Sequence, residues 1–231
     1  MSIHTAKTVI KNFLSNRDTT ILALTGAWGV GKTHAWRDAL KENRKDIKFD
    51  KYCYVSLFGI SNMAELRMAL FTKSVTVSNI GKTIGLEATR EDLLSISGDW
   101  LKGMVGRYRE IFKSIPYGTS ISVGLEAFAA SSVRDCLVCI DDFERQANIK
   151  VEDILGLITE LKEERGCKIA LIFNKEKLQD KDLYQLYREK MIDLEVQYSP
   201  TIQESFDLVF DATSPNRELV IRHVWILILL T

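Results

Sequence analysis

Residues Gly26-Ala27-Trp28-Gly29-Val30-Gly31-Lys32-Thr33 form an unbroken G-x-x-x-x-G-K-T pattern, and its flanks decide what it means. The apolar run Ile21-Leu22-Ala23-Leu24 leads into it, and Thr33 to Asn43 follows with helical composition. The stretch therefore reads as strand, tight loop and helix. Its glycines permit backbone conformations that side chains would block, so successive N–H groups can surround a phosphate. The positive dipole end of a helix starting near Lys32 adds to that attraction. Lys32 is expected to reach the β- and γ-phosphates of a nucleoside triphosphate, and the Thr33 hydroxyl to ligate Mg²⁺. A second Gly-Lys-Thr, at Gly81-Lys82-Thr83, lacks the earlier glycine (Thr76 stands there) and follows no apolar strand. It reads as a loop.

A chain of 231 residues can bury the core of one α/β domain. With 31 Lys and Arg against 31 Asp and Glu, no global field draws it onto nucleic acid. Four cysteines and an N-terminus without a signal-peptide pattern suggest a reducing, cytoplasmic setting. Cys136 and Cys139 make a C-x-x-C, but within the apolar run Cys136-Leu137-Val138-Cys139-Ile140. Residues three apart on a strand face opposite sides, so they read as small core residues rather than a redox or zinc pair.

The remaining pattern alternates strands with helices. Ile3, Ala6, Ile10, Phe13 and Leu14 fall on one face of a first helix. A second strand runs Tyr52–Phe58 and stops at Gly59, after which Ser61 is expected to cap a helix to about Phe71. Residues 73–132 are rich in glycine, serine and threonine and read as an insertion, with a helix near 90–112 and a weakly apolar segment at 121–130. Regular elements resume with strand Cys136–Asp141, helix Val151–Arg165, strand Lys168–Phe173, a helix ending near Met191, strand Leu194–Tyr198 and a short helix Gln203–Phe210. This order implies an α/β fold of three layers, a mainly parallel sheet covered on both faces, with ligands at the carboxyl ends of its strands.

Leu137-Val138-Cys139-Ile140 runs into Asp141-Asp142-Phe143-Glu144-Arg145, the Walker B pattern of an apolar strand ending in acid. Asp141 would hold Mg²⁺, which prefers hard oxygen ligands. Asp142 is the first candidate for polarising the attacking water, and Glu144 is its rival. Arg145 could serve either as a finger on the γ-phosphate of a neighbouring subunit or as an ion-pair partner orienting the acidic loop. Strand Lys168–Phe173 ends at Asn174, which fits a sensor that contacts the γ-phosphate or orients water in ATPases with an additional strand beside Walker B. Asn174-Lys175 begins the guanine-reading N-K-x-D motif, but Lys177 replaces its carboxylate, so adenine is favoured.

These residues resemble the KAP family of P-loop NTPases, which have an AAA+-like core. The resemblance rests on the Gly26–Thr33 loop with its Trp28, on Val55-Ser56-Leu57-Phe58-Gly59, on Ile140-Asp141-Asp142-Phe143-Glu144-Arg145, and on the long insertion between the Walker elements. It spans about residues 5–212, and D-D-x-E/D-R is its most specific part. It implies ATP binding and Mg²⁺-dependent hydrolysis and, in some relatives, association with the membrane or with defence against phage. Two features depart from it. Residues 121–130 are too short and polar to span a bilayer, as hairpins in the insertion of some relatives do. The helical lid expected after the core is largely absent, and neither Arg217 nor Arg222 can be given its sensor role.

Residues 1–212 are thus expected to form the nucleotide-binding core, with 213–231 the start of an incomplete lid or a truncated tail. The uniformly apolar Val224–Leu230 reads as a buried strand or as a segment left without its partner in a truncated or frame-altered chain, and would promote association if exposed. The partners expected are an unidentified protein, a missing C-terminal region or a second copy in a homo-oligomer. Two functions follow. One is an ATPase that drives a protein partner as motor or switch. The other is a regulatory module in which bound nucleotide sets a conformation and turnover is negligible, favoured by an aspartate at position 142 where related ATPases carry glutamate.

Overall fold

A computed structural model describes residues 2–77, 80, 133–146, 148–178 and 181–209. The elements run α1 (Ile3–Ser15), β1 (Ile21–Thr25), α2 (Lys32–Glu42), β2 (Lys51–Ser56), α3 (Met63–Thr72), β3 (Ser74–Thr76), β4 (Cys136–Asp141), α4 (Val151–Glu163), β5 (Lys168–Phe173), α5 (Lys181–Met191), β6 (Leu194–Gln197) and α6 (Ile202–Val209). Short 3₁₀ turns at Phe143–Arg145 and Lys175–Lys177 follow β4 and β5.

One six-stranded sheet has the order β3-β2-β4-β5-β1-β6. Every pairing is parallel except β2 with β3. Strand β5 therefore lies between the strand that carries the glycine loop and the strand that ends in Asp141, and all three are buried along their whole length. Strands enclosed on both faces read as continuous apolar runs, which is why β1, β4 and β5 were legible.

The two faces make separate cores. Ile21, Ala23, Cys136, Val138 and Ile140 point toward α3, α4 and Tyr184 of α5, while Leu22, Leu24, Leu137 and Cys139 point toward α1 and α2. The C-x-x-C pair is thus split between opposite faces, as strand alternation requires. All four cysteines are free and buried. Burial holds the Cys136 thiol up at about 12, far from the thiolate needed for metal or redox chemistry.

Helix boundaries shift by one or two residues from the sequence pattern. Asn62 rather than Ser61 caps α3: its side chain accepts from the Glu65 N–H at 2.9 Å, while the Glu65 carboxylate accepts from the Ser61 N–H at 2.8 Å. The segment read as an insertion begins with an unexpected edge strand, β3, paired antiparallel to β2. Three residues without a strong alternation gave no signal for it. The second Gly-Lys-Thr, the expected helix at 90–112, the segment 121–130, Arg217, Arg222 and Val224–Leu230 lie outside the described residues. Among the described residues no helix is long and apolar enough to cross a membrane.

Lys168 opens β5 with only 1 % of its surface exposed. Its ammonium donates to the Asn16 and Thr19 carbonyls and lies 4.1 Å from the Phe13 ring centroid. Burial lowers it to about 8, although Asp193 and Asp18 act in the opposite direction. The unfolded lysine titrates near 10.4. Between about pH 8 and 10.4 the unfolded chain binds the proton better, so this residue's contribution to stability rises with pH across that window. We expect the unfolding free energy of wild type relative to Lys168→Met to increase from pH 8 to 10 in denaturant titrations. Parallel pH curves would show that Lys168 is not held as a strained cation.

Candidate functional site

The loop between β1 and α2 is fixed at both ends. A Cβ on Gly26 would lie 2.4 Å from the Tyr198 carbonyl oxygen, so only glycine passes there. Gly31 caps α2 with φ +90°, in the left-handed region that favours glycine, and the helix then starts at Lys32. This places Thr33 in the first turn of α2. There its hydroxyl donates to Oδ2 of Asp141, at the carboxyl end of β4, over 2.7 Å.

Asp141 is 4 % exposed and fully bonded. The Tyr54 hydroxyl donates to the same Oδ2 at 2.7 Å, and the Asp142 N–H donates to Oδ1 at 2.8 Å. Burial, followed by the Asp141 charge, drives the Tyr54 phenol far above its ordinary value, which keeps it a donor. Ser56, two residues further along the same face of β2, donates to Oδ2 of Asp142 at 2.7 Å. Tyr54 and Ser56 were missed as candidate site residues. The signal for them was the two-residue alternation of β2, which points Tyr52, Tyr54 and Ser56 to one face.

Asp142 has φ +55° and ψ 38°, a left-handed conformation that aspartate adopts more readily than most residues. The chain turns there so that Phe143 enters the core against Phe173, at 5.8 Å between centroids, and Glu144 returns toward the glycine loop. Glu144 is 6 % exposed. Its Oε1 accepts the Trp28 indole N–H at 2.5 Å, whereas Oε2 is buried without a partner among the described residues.

Lys32 folds back onto its own loop, donating to the carbonyls of Gly26 at 2.9 Å and Ala27 at 2.8 Å. Burial lowers its proton affinity. Three carboxylates act in the opposite direction, Glu144 most strongly, then Asp141 and Asp142. A cavity of about 520 Å³ is lined by Gly31, Lys32, Thr33, Asp141, Asp142 and Glu144, among others. At its rim the Arg145 guanidinium sits 4.5 Å from the Phe58 centroid, 5.6 Å from the Trp28 centroid and 3.7 Å from the Asp142 carboxylate.

Asn174 is placed elsewhere. It lines a separate cavity of about 300 Å³ with Thr25, Gly26 and Ala27, and its side-chain oxygen accepts the Glu176 N–H at 3.1 Å. The structure thus brings Trp28, Lys32, Thr33, Asp141, Asp142, Glu144 and Arg145 together at one cavity, while Asn174 lines the neighbouring cavity and caps the Lys175–Lys177 turn. The Thr33 and Asp141 oxygens fit a hard cation such as Mg²⁺, and Glu144 lines the same cavity.

Over residues 3–217 the sequence matches the KAP family P-loop domain. The chain belongs to that family. Comparison with curated proteins gives no match. Among solved structures the KAP chain is similar to the ORC2 protein of Aeropyrum pernix. The ADP form gives a TM-score of 0.51 at 14% identity, covering 89% of this chain and 50% of that one. The ADPNP–ADP complexes give 0.50 at 15%, again covering 89% and 50%. Cdc6p of Pyrobaculum aerophilum gives 0.48 at 15%, covering 90% and 47%. This KAP domain spans about half the length of these proteins, and at such identity the likeness to the two Aeropyrum pernix structures shows a shared fold.

In ligand-free Lys32→Ala, two hydrogen bonds are lost together with a buried charge. Each neutral-scale bond contributes about 1 kcal/mol net, and the burial penalty offsets it. We expect the melting temperature to move by no more than about 5 °C. Loss of cooperative unfolding would show that the lysine holds the loop together.

Proposed function

We propose that this KAP domain binds ATP with Mg²⁺ and hydrolyses it to ADP and phosphate, serving as motor or switch for a protein partner. The observation that carries the reading is the 2.7 Å contact between Thr33 and Asp141 at the mouth of a glycine loop that also supplies Lys32. Phosphates entering the loop would meet the backbone N–H groups of residues 27–33 and the N-terminus of α2. The Lys32 ammonium would leave the Gly26 and Ala27 carbonyls for phosphate oxygens. Thr33 and Asp141 would hold Mg²⁺, which neutralises charge on the β- and γ-phosphates when bound.

The geometry favours Glu144 over Asp142 as the group that orients water. Asp142 is held by Ser56 and lies beside Arg145, whereas Glu144 keeps one oxygen without a partner among the described residues and is the carboxylate acting most strongly on Lys32. The water oxygen attacks the γ-phosphorus, the bond to the ADP oxygen breaks, and the water proton passes to Glu144. Arg145, stacked on Phe58 and Trp28 of its own chain, is read as orienting the acidic loop. The second reading, a regulatory module with negligible turnover, is favoured by the same bonds, because Ser56 and Trp28 restrain both candidate bases.

Steady-state phosphate release and equilibrium ATP binding test these assignments together. Asp141→Asn should weaken Mg²⁺-dependent binding. Glu144→Gln should preserve binding and lower turnover at least tenfold. Asp142→Asn should have the smaller effect on turnover, and the reverse ranking would return the base role to Asp142. Wild-type binding without measurable release supports the regulatory module.

Tyr54→Phe removes one donor from Asp141 without changing the packing shape. Partners behind a metal ligand typically change affinity 10–100-fold. We expect the Mg²⁺ concentration giving half-maximal ATP binding to rise about tenfold, and an unchanged midpoint would show that Thr33 and Asp142 suffice to orient the carboxylate.

A further inference from the structure

We propose that Trp28 is a positioning residue for hydrolysis, holding the Glu144 carboxylate in place beside the cavity by its indole N–H. The proposal rests on the ATPase reading above and deepens it.

Trp28 is the third residue of the glycine loop and lies 116 positions from Glu144 in sequence. A large aromatic side chain there has no role in cradling phosphate, which needs only the backbone. Trp28 nevertheless bridges the two halves of the site, donating to Oε1 of Glu144 at 2.5 Å. The remaining oxygen, Oε2, is buried and without a partner among the described residues, an arrangement that costs free energy unless a ligand or water completes it.

The indole is also flanked by two cations. It is 55 % exposed, yet the Arg145 guanidinium and the Lys177 ammonium lie 5.6 and 5.5 Å from its ring. Arg145 follows β4 and Lys177 follows β5, so cations from two strand ends approach one ring carried by the loop after β1. The consequence is mechanical. The glycine loop cannot shift toward a phosphate without drawing on Glu144, so loop occupancy and base position change together.

Three substitutions separate this role from packing. Trp28→Phe keeps an aromatic ring for Arg145 and Lys177 but loses the N–H. Trp28→Ala loses both. The third is the double variant Trp28→Phe with Glu144→Gln. In steady-state phosphate release with MgATP, we expect Trp28→Phe to lower kcat about tenfold with KM changed less than threefold. We expect Trp28→Ala to lower it by a similar factor, and the double variant to turn over no more slowly than Glu144→Gln alone, because residues acting as a unit are not additive. Wild-type kcat in Trp28→Phe with a defect only in Trp28→Ala would assign the indole to packing and overturn the proposal. So would multiplicative losses in the double variant. A wild-type protein that binds ATP and releases no phosphate overturns the ATPase reading and this proposal with it. Normal wild-type turnover with an unaffected Trp28→Phe overturns only the proposal.

Discussion

The Asp141 carboxylate accepts hydrogen bonds from the Thr33 hydroxyl, the Tyr54 hydroxyl and the Asp142 N–H. Those donors come from α2, β2 and the turn after β4. A buried carboxylate without such partners would be expensive, and its cost falls only when each donor is delivered to the right place. Delivery depends on the sheet. The register of β2 against β4 places Ser56 beside Asp141, and two-residue alternation sends Tyr54 and Ser56 to the α2 face. The core on each side of the sheet then fixes the strands that carry these groups.

The same economy governs the rest of the cavity. Lys32, Asp141, Asp142 and Glu144 are four of the charged side chains lining a space of about 520 Å³. Each finds a partner within the chain: loop carbonyls for Lys32, hydroxyls for the two aspartates, an indole for Glu144. These are the interactions a nucleotide and its cation would replace. Binding would therefore be an exchange of partners. Only Oε2 of Glu144 is buried with no partner within that set among the described residues.

Much of this was legible in the residues. The glycine loop, the apolar strand ending in Asp141-Asp142 and the apolar strand β5 each carry a local signal strong enough to survive without context, and the split of Cys136 from Cys139 follows from alternation alone. Asn174 shows the limit. Its position at a strand end is legible, but strand position does not say which cavity beside the glycine loop the side chain lines. Tyr54 and Ser56 were passed over because a hydroxyl on a half-buried strand has no distinctive spacing. The Trp28–Glu144 bond joins residues 116 apart in sequence and is visible only after folding. β3 was missed because three residues at a sheet edge carry too little pattern.

The central claim is that Thr33 and Asp141 form a Mg²⁺ site completed by a nucleoside triphosphate in the glycine loop. Isothermal titration of ATP into the 231-residue chain, once with excess Mg²⁺ and once with a chelator, tests it directly. The account predicts saturable binding with Mg²⁺ and affinity at least tenfold weaker when the cation is removed. Equal affinity in the two titrations, or no binding in either, would contradict it.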